Sequence, residues 1–176
     1  MGNAGTTNLL EMLAAQGSAY TRVIITTGGA DKRDPGGLVS SWKTVKRFEL
    51  ANGALKELAD LGARDMDSSD TLQDFLIWGV RTYPAERTML ALWDHGSGYY
   101  GYGGDENYPG EGKMMSLPAM AGALQGFKAA TGVTLDYIGF DACLMATLEV
   151  AKVVQPYARY LGASQELEPG SGWDWK

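Results

Sequence analysis

The sequence predicts an α/β domain with a mostly parallel sheet and helices on both faces. Three observations carry that prediction. Short apolar runs rich in β-branched residues recur along the chain, stretches of helical periodicity separate them, and glycine or proline marks most junctions. Strands covered on both faces read as unbroken apolar runs, and parallel neighbours need helical crossovers between them.

The elements follow in order. Residues 8–16, "NLLEMLAAQ", carry leucine and alanine at helical spacing, and "TRVIITTGG" then reads as a buried strand stopping at two glycines. "ADKRDPGG" is a turn by composition. "WKTVKRFEL" mixes β-formers with charge and suits a partly exposed or edge strand. Ser69 is the expected N-cap of the helix "DTLQDFLIWGVRTYP", which puts Leu72, Phe75, Leu76 and Val80 on one face and ends at Pro84. "RTMLALWDHG" is a second buried strand. Residues 97–112, rich in glycine and tyrosine, read as a long surface loop. "SLPAMAGALQGFKAATG" is a helix with a Ser-x-Pro start and a glycine stop, "VTLDYIGF" a third strand, "MATLEVAKVVQPYA" a further helix broken at Pro156, and "RYLGASQ" a fourth strand. No repeat or boundary divides the chain, so residues 1–176 read as one domain.

Composition bounds the function. The chain has 176 residues, 45% hydrophobic and 20% charged, which is enough for one well-packed core. Fifteen Lys plus Arg against twenty-one Asp plus Glu leave a formal charge of −6, arguing against nucleic acid and anionic membrane as partners. No apolar run reaches the roughly 18 residues a membrane span requires. "MGNAGT" meets the Gly2/Thr6 myristoylation pattern, whose low information makes it a chance match. With one cysteine and one histidine, neither an internal disulfide nor a closed zinc site of those ligands can form.

The single histidine, His95, and the single cysteine, Cys143, each follow directly on a predicted strand. They lie 143 − 95 = 48 residues apart, the length of one loop, one helix and one strand. In a parallel sheet, chemistry gathers at the carboxyl ends of strands, and one right-handed crossover sets two such ends on the same edge. A free thiol has a pKa of about 8.5, and a helix starting just after Cys143 would favour the thiolate. An imidazole in reach would serve as general acid, and the backbone N–H groups of Gly96 and Cys143 are expected to form an oxyanion hole. The plain alternative is a buried apolar cysteine and a core histidine.

The blocks "LALWDHGSG" and "IGFDACLMATLEVA" in tandem resemble the signature blocks of the clostripain family of cysteine peptidases, in the clan of caspases, legumains and gingipains. "LADLGARDMDSSDTLQDFLIWGVRTYPAERTMLALWDHGSG" and "GASQELEPGSGWDW" extend the likeness from Asn8 to the end. The resemblance implies a caspase-like three-layer sandwich. It makes Cys143 the nucleophile, His95 the acid or base and Gly96 an oxyanion donor. It places cleavage after Arg or Lys, with Asp141 as the acidic S1 residue that pairs with the cationic side chain. Asp141 also suits a helix N-cap. Ser164, Gln165 and Glu166 would line the cleft.

Members of the family cut themselves between histidine and cysteine. Only Lys113 and Lys128 offer a basic residue there, and Lys113, closing the glycine-rich loop, is the expected processing site. The family opens with an extra strand and continues well past "GSGWDWK". The chain is therefore expected to lack terminal strands, as a fragment of a longer precursor with a companion chain. The chemistry needs no cofactor. Calcium dependence among clostripain-like enzymes makes Ca2+ a candidate ion, with oxygens from "GGDENYPGEG", although no EF-hand spacing is present. Secretion or a place in the bacterial cell envelope is the family expectation. The competing functions are a catalytically inactive peptide- or partner-binding module of the same fold, and a redox-sensing domain, which the lack of a resolving cysteine disfavours. A serine hydrolase is disfavoured by the absence of a G-x-S-x-G elbow.

Overall fold

The computed structural model describes residues 2–15, 17–31, 37–108 and 114–176. They form two compact units: Met1–Met66 with Asp105–Pro109 and Gly170–Lys176, and Asp67–Gly104 with Gly110–Pro169.

The first unit holds helix α1 (Gly2–Ala14) and strands β1 (Val23–Thr27), β2 (Lys46–Ala51) and β3 (Ala54–Asp60). The strands form an antiparallel sheet in the order β1-β2-β3. Sequence reading missed β3, although Asn52-Gly53 between two pairing runs is a strong two-residue hairpin signal. Both residues take positive φ, 53° and 70°, as a type I′ turn demands. The extra strand makes β2 central rather than an edge, and Lys46, Arg47 and Phe48 are buried in it. The Lys46 ammonium is accommodated by Glu57 Oε1 at 2.9 Å and Asp60 Oδ2 at 3.0 Å. Burial pulls the Lys46 pKa down, but the hydrogen bonds and charges of these two carboxylates outweigh it and raise the pKa above its ordinary value. β1 is half-buried along most of its length, as a strand in a small two-layer packing should be. Leu9, Ala30, Val39, Trp42 and Phe48 form this unit's core.

The second unit carries the parallel sheet: β4 (Met89–Trp93), β5 (Leu135–Asp141) and β6 (Ala158–Gly162), with β5 in the middle. Helix α2 (Ser69–Thr82) precedes β4. Its N-cap is Ser68 rather than Ser69, because Ser68 has the extended backbone that lets its Oγ accept the Asp70 N–H. Helix α3 (Leu117–Thr131) starts on the Ser116 cap and stops at Gly132 as the sequence predicts. Helix α4 (Leu148–Val154) is shorter than the sequence suggests, starting only after the Thr147 cap. Phe127, Leu135, Phe140, Met145 and Val150 are sealed at 0% exposure in one core with Leu76, Leu90, Met120 and Leu124. Loop 97–112 is not wholly a surface loop. Tyr102 is buried, bridges to both Gly96 and Met115, and meets the Phe140 ring edge-on at 5.7 Å. Tyrosine brings enough apolar surface to enter a core, which glycine content alone conceals.

Candidate active site

In the parallel pairing of β4 and β5, Trp93 lies opposite Asp141. His95 and Cys143 each stand two residues beyond that last pair, so equal steps off adjacent strands bring them to one edge of the sheet. The next residue confirms the approach. A Cβ added to Gly96 would collide with the Cys143 carbonyl oxygen and lie 2.8 Å from Met145 Cγ. Only glycine lets the two chains come this close.

His95 is exposed, and backbone bonds on both sides hold it. Its N–H donates to Asp94 Oδ1 at 2.7 Å, and its carbonyl accepts the Gly103 N–H at 2.9 Å. Cys143 is half-buried, and its Sγ accepts the Glu168 N–H at 3.3 Å. The expected helix start just after Cys143 is absent. The residue there, Leu144, takes φ 63°, a left-handed conformation that costs a leucine about 1–2 kcal/mol. Helix α4 begins only at Leu148, after the Thr147 cap, so Cys143 does not stand in its first turn. Strain of this kind persists only where surrounding bonds impose it. Here Leu144 N–H donates to the Glu166 carbonyl at 3.0 Å and Ala146 N–H to the Ser164 carbonyl at 2.8 Å.

These bonds lay Ser164, Gln165 and Glu166 along the Cys143 turn, as a continuation past β6. Ser164 Oγ accepts the Glu166 N–H at 3.2 Å. Sequence reading missed Glu168, whose contact with the thiol depends on a path 25 residues long. Asp141 ends β5 and is buried at 4% exposure. Burial, together with the nearby carboxylates of Asp94, Asp67 and Asp141, pushes the Tyr102 pKa well above its ordinary value and keeps that phenol neutral. Lys113 lies outside the described residues, as does part of "GGDENYPGEG". Among the described residues, no group of three or more His, Cys, Asp or Glu side chains is placed to hold a metal ion.

The family model of the clostripain peptidases, C11, matches residues 6–176. The chain belongs to the clostripain family. Its fold agrees with solved structures of that family. A secreted C11 cysteine protease from Bacteroides thetaiotaomicron, in complex with an irreversible peptide inhibitor, superposes with a TM-score of 0.72 at 19% identity, covering 97% of this chain and 46% of that one. Iotapain, a secreted C11 cysteine protease of the same organism, gives 0.72 at 20% identity over 97% and 49%. An inactive zymogen C11 protease from Parabacteroides distasonis gives 0.66 at 21% identity over 97% and 45%. No curated protein sequence matches the chain. This clostripain-family chain thus spans a little under half the length of the solved relatives. The α/β class and the parallel sheet of the sequence reading stand. No helix of the described residues is long and apolar enough to cross a membrane.

Proposed function

We propose that the chain is the catalytic part of a cysteine endopeptidase that cleaves after Arg or Lys. One observation carries the reading: equal two-residue steps beyond the Trp93–Asp141 pair put His95 and Cys143 on one edge, with Gly96 against the Cys143 backbone. His95 takes the Cys143 thiol proton, the sulfur attacks the scissile carbonyl carbon, and negative charge moves to the carbonyl oxygen, facing the Gly96 and Cys143 N–H groups. The C–N bond then breaks as His95 protonates the departing amine, leaving a thioester. Water, deprotonated by His95, attacks the thioester; the C–S bond breaks, the acid leaves, and His95 returns the proton to the Cys143 sulfur. Asp141 supplies the charge that reads a basic side chain, from a buried position at the base of the site. Ser164, Gln165 and Glu166 form one wall.

The same reading extends to processing at Lys113, to a companion chain from the same precursor, to export and to Ca2+ as a bound ion. Two solved relatives described as secreted and one described as a zymogen support export and processing. A second reading, a catalytically silent peptide-binding module, is favoured by the Glu168 N–H that already engages the sulfur.

Fluorogenic peptides ending in Arg, Lys, Asp or Asn, tested on the chain and on Cys143→Ala, decide between them. Release after Arg or Lys that disappears in Cys143→Ala is the expected result. Release after Asp or Asn alone overturns the role of Asp141. No release, together with slow alkylation of Cys143, favours the silent module.

A further inference from the structure

Beside the Cys143 turn lies an open recess of about 410 Å³, within the size range of small-ligand sites. Its walls are the turn of residues 97–100 after His95-Gly96, then Leu144 and Thr147 after Cys143, and Gln165. None of these side chains is charged. Tyr99 and Tyr100 stand 60% and 70% exposed with ring centroids 4.1 Å apart, a large apolar surface open to solvent. A side-chain hydrogen bond between them raises the Tyr99 pKa and ties the rings together. The backbone at Gly98 approaches the Leu144 carbonyl and the Thr147 methyl, since an added Cβ would meet both at 3.4 Å. These two segments, with Gln165 from a third, therefore build the recess together. Leu144 is held there, partly exposed, in the left-handed backbone described above.

Position relative to the chemistry gives the occupant. Asp141 lies two residues before Cys143, within the strand, whereas every wall of the recess except Gln165 comes from the residues just after His95 or just after Cys143. If the basic residue before the scissile bond points toward Asp141, the leaving half of the peptide passes over 97–100 and 144–147. We infer that the recess receives an aromatic or large aliphatic side chain on the residue following the scissile bond, making the chain selective on both sides of the cut. This rests on the proposed peptidase function. An acidic side chain there would lose its hydration against two tyrosines and a leucine without gaining a cation, and is disfavoured.

The test uses quenched peptides with Arg at the cut and Phe, Leu, Gly or Asp after it, alongside arginine methyl ester, whose leaving group is too small to reach the recess. Phe and Leu peptides are expected to exceed the Asp peptide by about tenfold in kcat/KM. Leu144→Asn suits the left-handed backbone, and Tyr100→Ala leaves that backbone untouched. In each, the preference is expected to fall to about twofold. Cys143-dependent ester hydrolysis with a flat peptide profile, or a preference unchanged in both variants, overturns the recess assignment and leaves the peptidase reading intact. Absence of Cys143-dependent hydrolysis of every substrate overturns both.

Discussion

The two sheets have three strands each and use them in opposite ways. In the first unit, β1, β2 and β3 run antiparallel, β2 and β3 joined by a two-residue hairpin, and the buried Lys46 ammonium is held by the half-exposed Glu57 and Asp60. In the second, β4, β5 and β6 run parallel, and the central strand is sealed at Leu135, Ile138 and Phe140. Antiparallel neighbours end at opposite edges, so the carboxyl ends of two adjacent strands never meet. Parallel neighbours bring all of theirs to one edge. The thiol, the imidazole and the recess are all found at that edge. The placement of the candidate residues follows strand direction here more than strand number.

The most severe test of that contrast is Gly96→Ala. The added methyl has no room against Cys143 and Met145, so a loss of about 3 kcal/mol in urea unfolding is expected. If the chain is a peptidase, a displaced Cys143 lowers Arg-peptide hydrolysis by about 100-fold or more. A fully stable, fully active Gly96→Ala would mean that the two strand ends are not held this tightly.

Next in size is Lys46→Met in the antiparallel sheet. The charge-assisted contacts to two carboxylates are lost, at a cost of about 2 kcal/mol. Breaking a fully buried pair costs about 3–5 kcal/mol, but Glu57 and Asp60 are 42% exposed and regain water. The pH dependence has a defined sign. The Lys46 pKa is raised, so its contribution is complete below about pH 10.4 and is lost as pH rises through the folded value. The Asp60 pKa is lowered, chiefly by the Gly62 N–H and then by Lys46. Its contribution is complete above about pH 3.9 and is lost as pH falls through the folded value. Urea titrations of the chain and of Lys46→Met from acid to alkaline pH should converge at both extremes. Parallel curves would show that the ammonium is not coupled to its carboxylates.

The smallest effect is expected at Gly53→Ala, where alanine in the left-handed region costs about 1 kcal/mol. Hydrogen exchange should rise first in β2 and β3. Exchange unchanged in that hairpin would show that the tight turn does not hold its register.

The site and its surroundings differ in how far the sequence reveals them. His95 and Cys143 are legible because each is tied to a local signal, an apolar strand that stops beside glycine or a small residue, and because one crossover brings the two strands together. The Ser116 and Gly132 ends of α3 are legible for the same local reason. β3 is missed because "ALKELAD" has neither apolar alternation nor strong β propensity, and only the Asn52-Gly53 turn betrays it. The N-cap shift from Ser69 to Ser68 turns on one residue's dihedral angles, which adjacent serines do not distinguish.

The sequence by itself therefore determined the α/β class and the family, and it singled out His95 and Cys143 as candidates, since these depend on patterns within a few residues of each other. Only the tertiary structure decided that the first sheet is antiparallel, that Tyr102 and Lys46 are buried, and that Cys143 lies in a strained turn under Glu168 rather than at a helix start. Those outcomes are set by which distant segments pack or hydrogen-bond together. The free energies of such contacts outweigh local propensities of a few tenths of a kcal/mol, or roughly one at most.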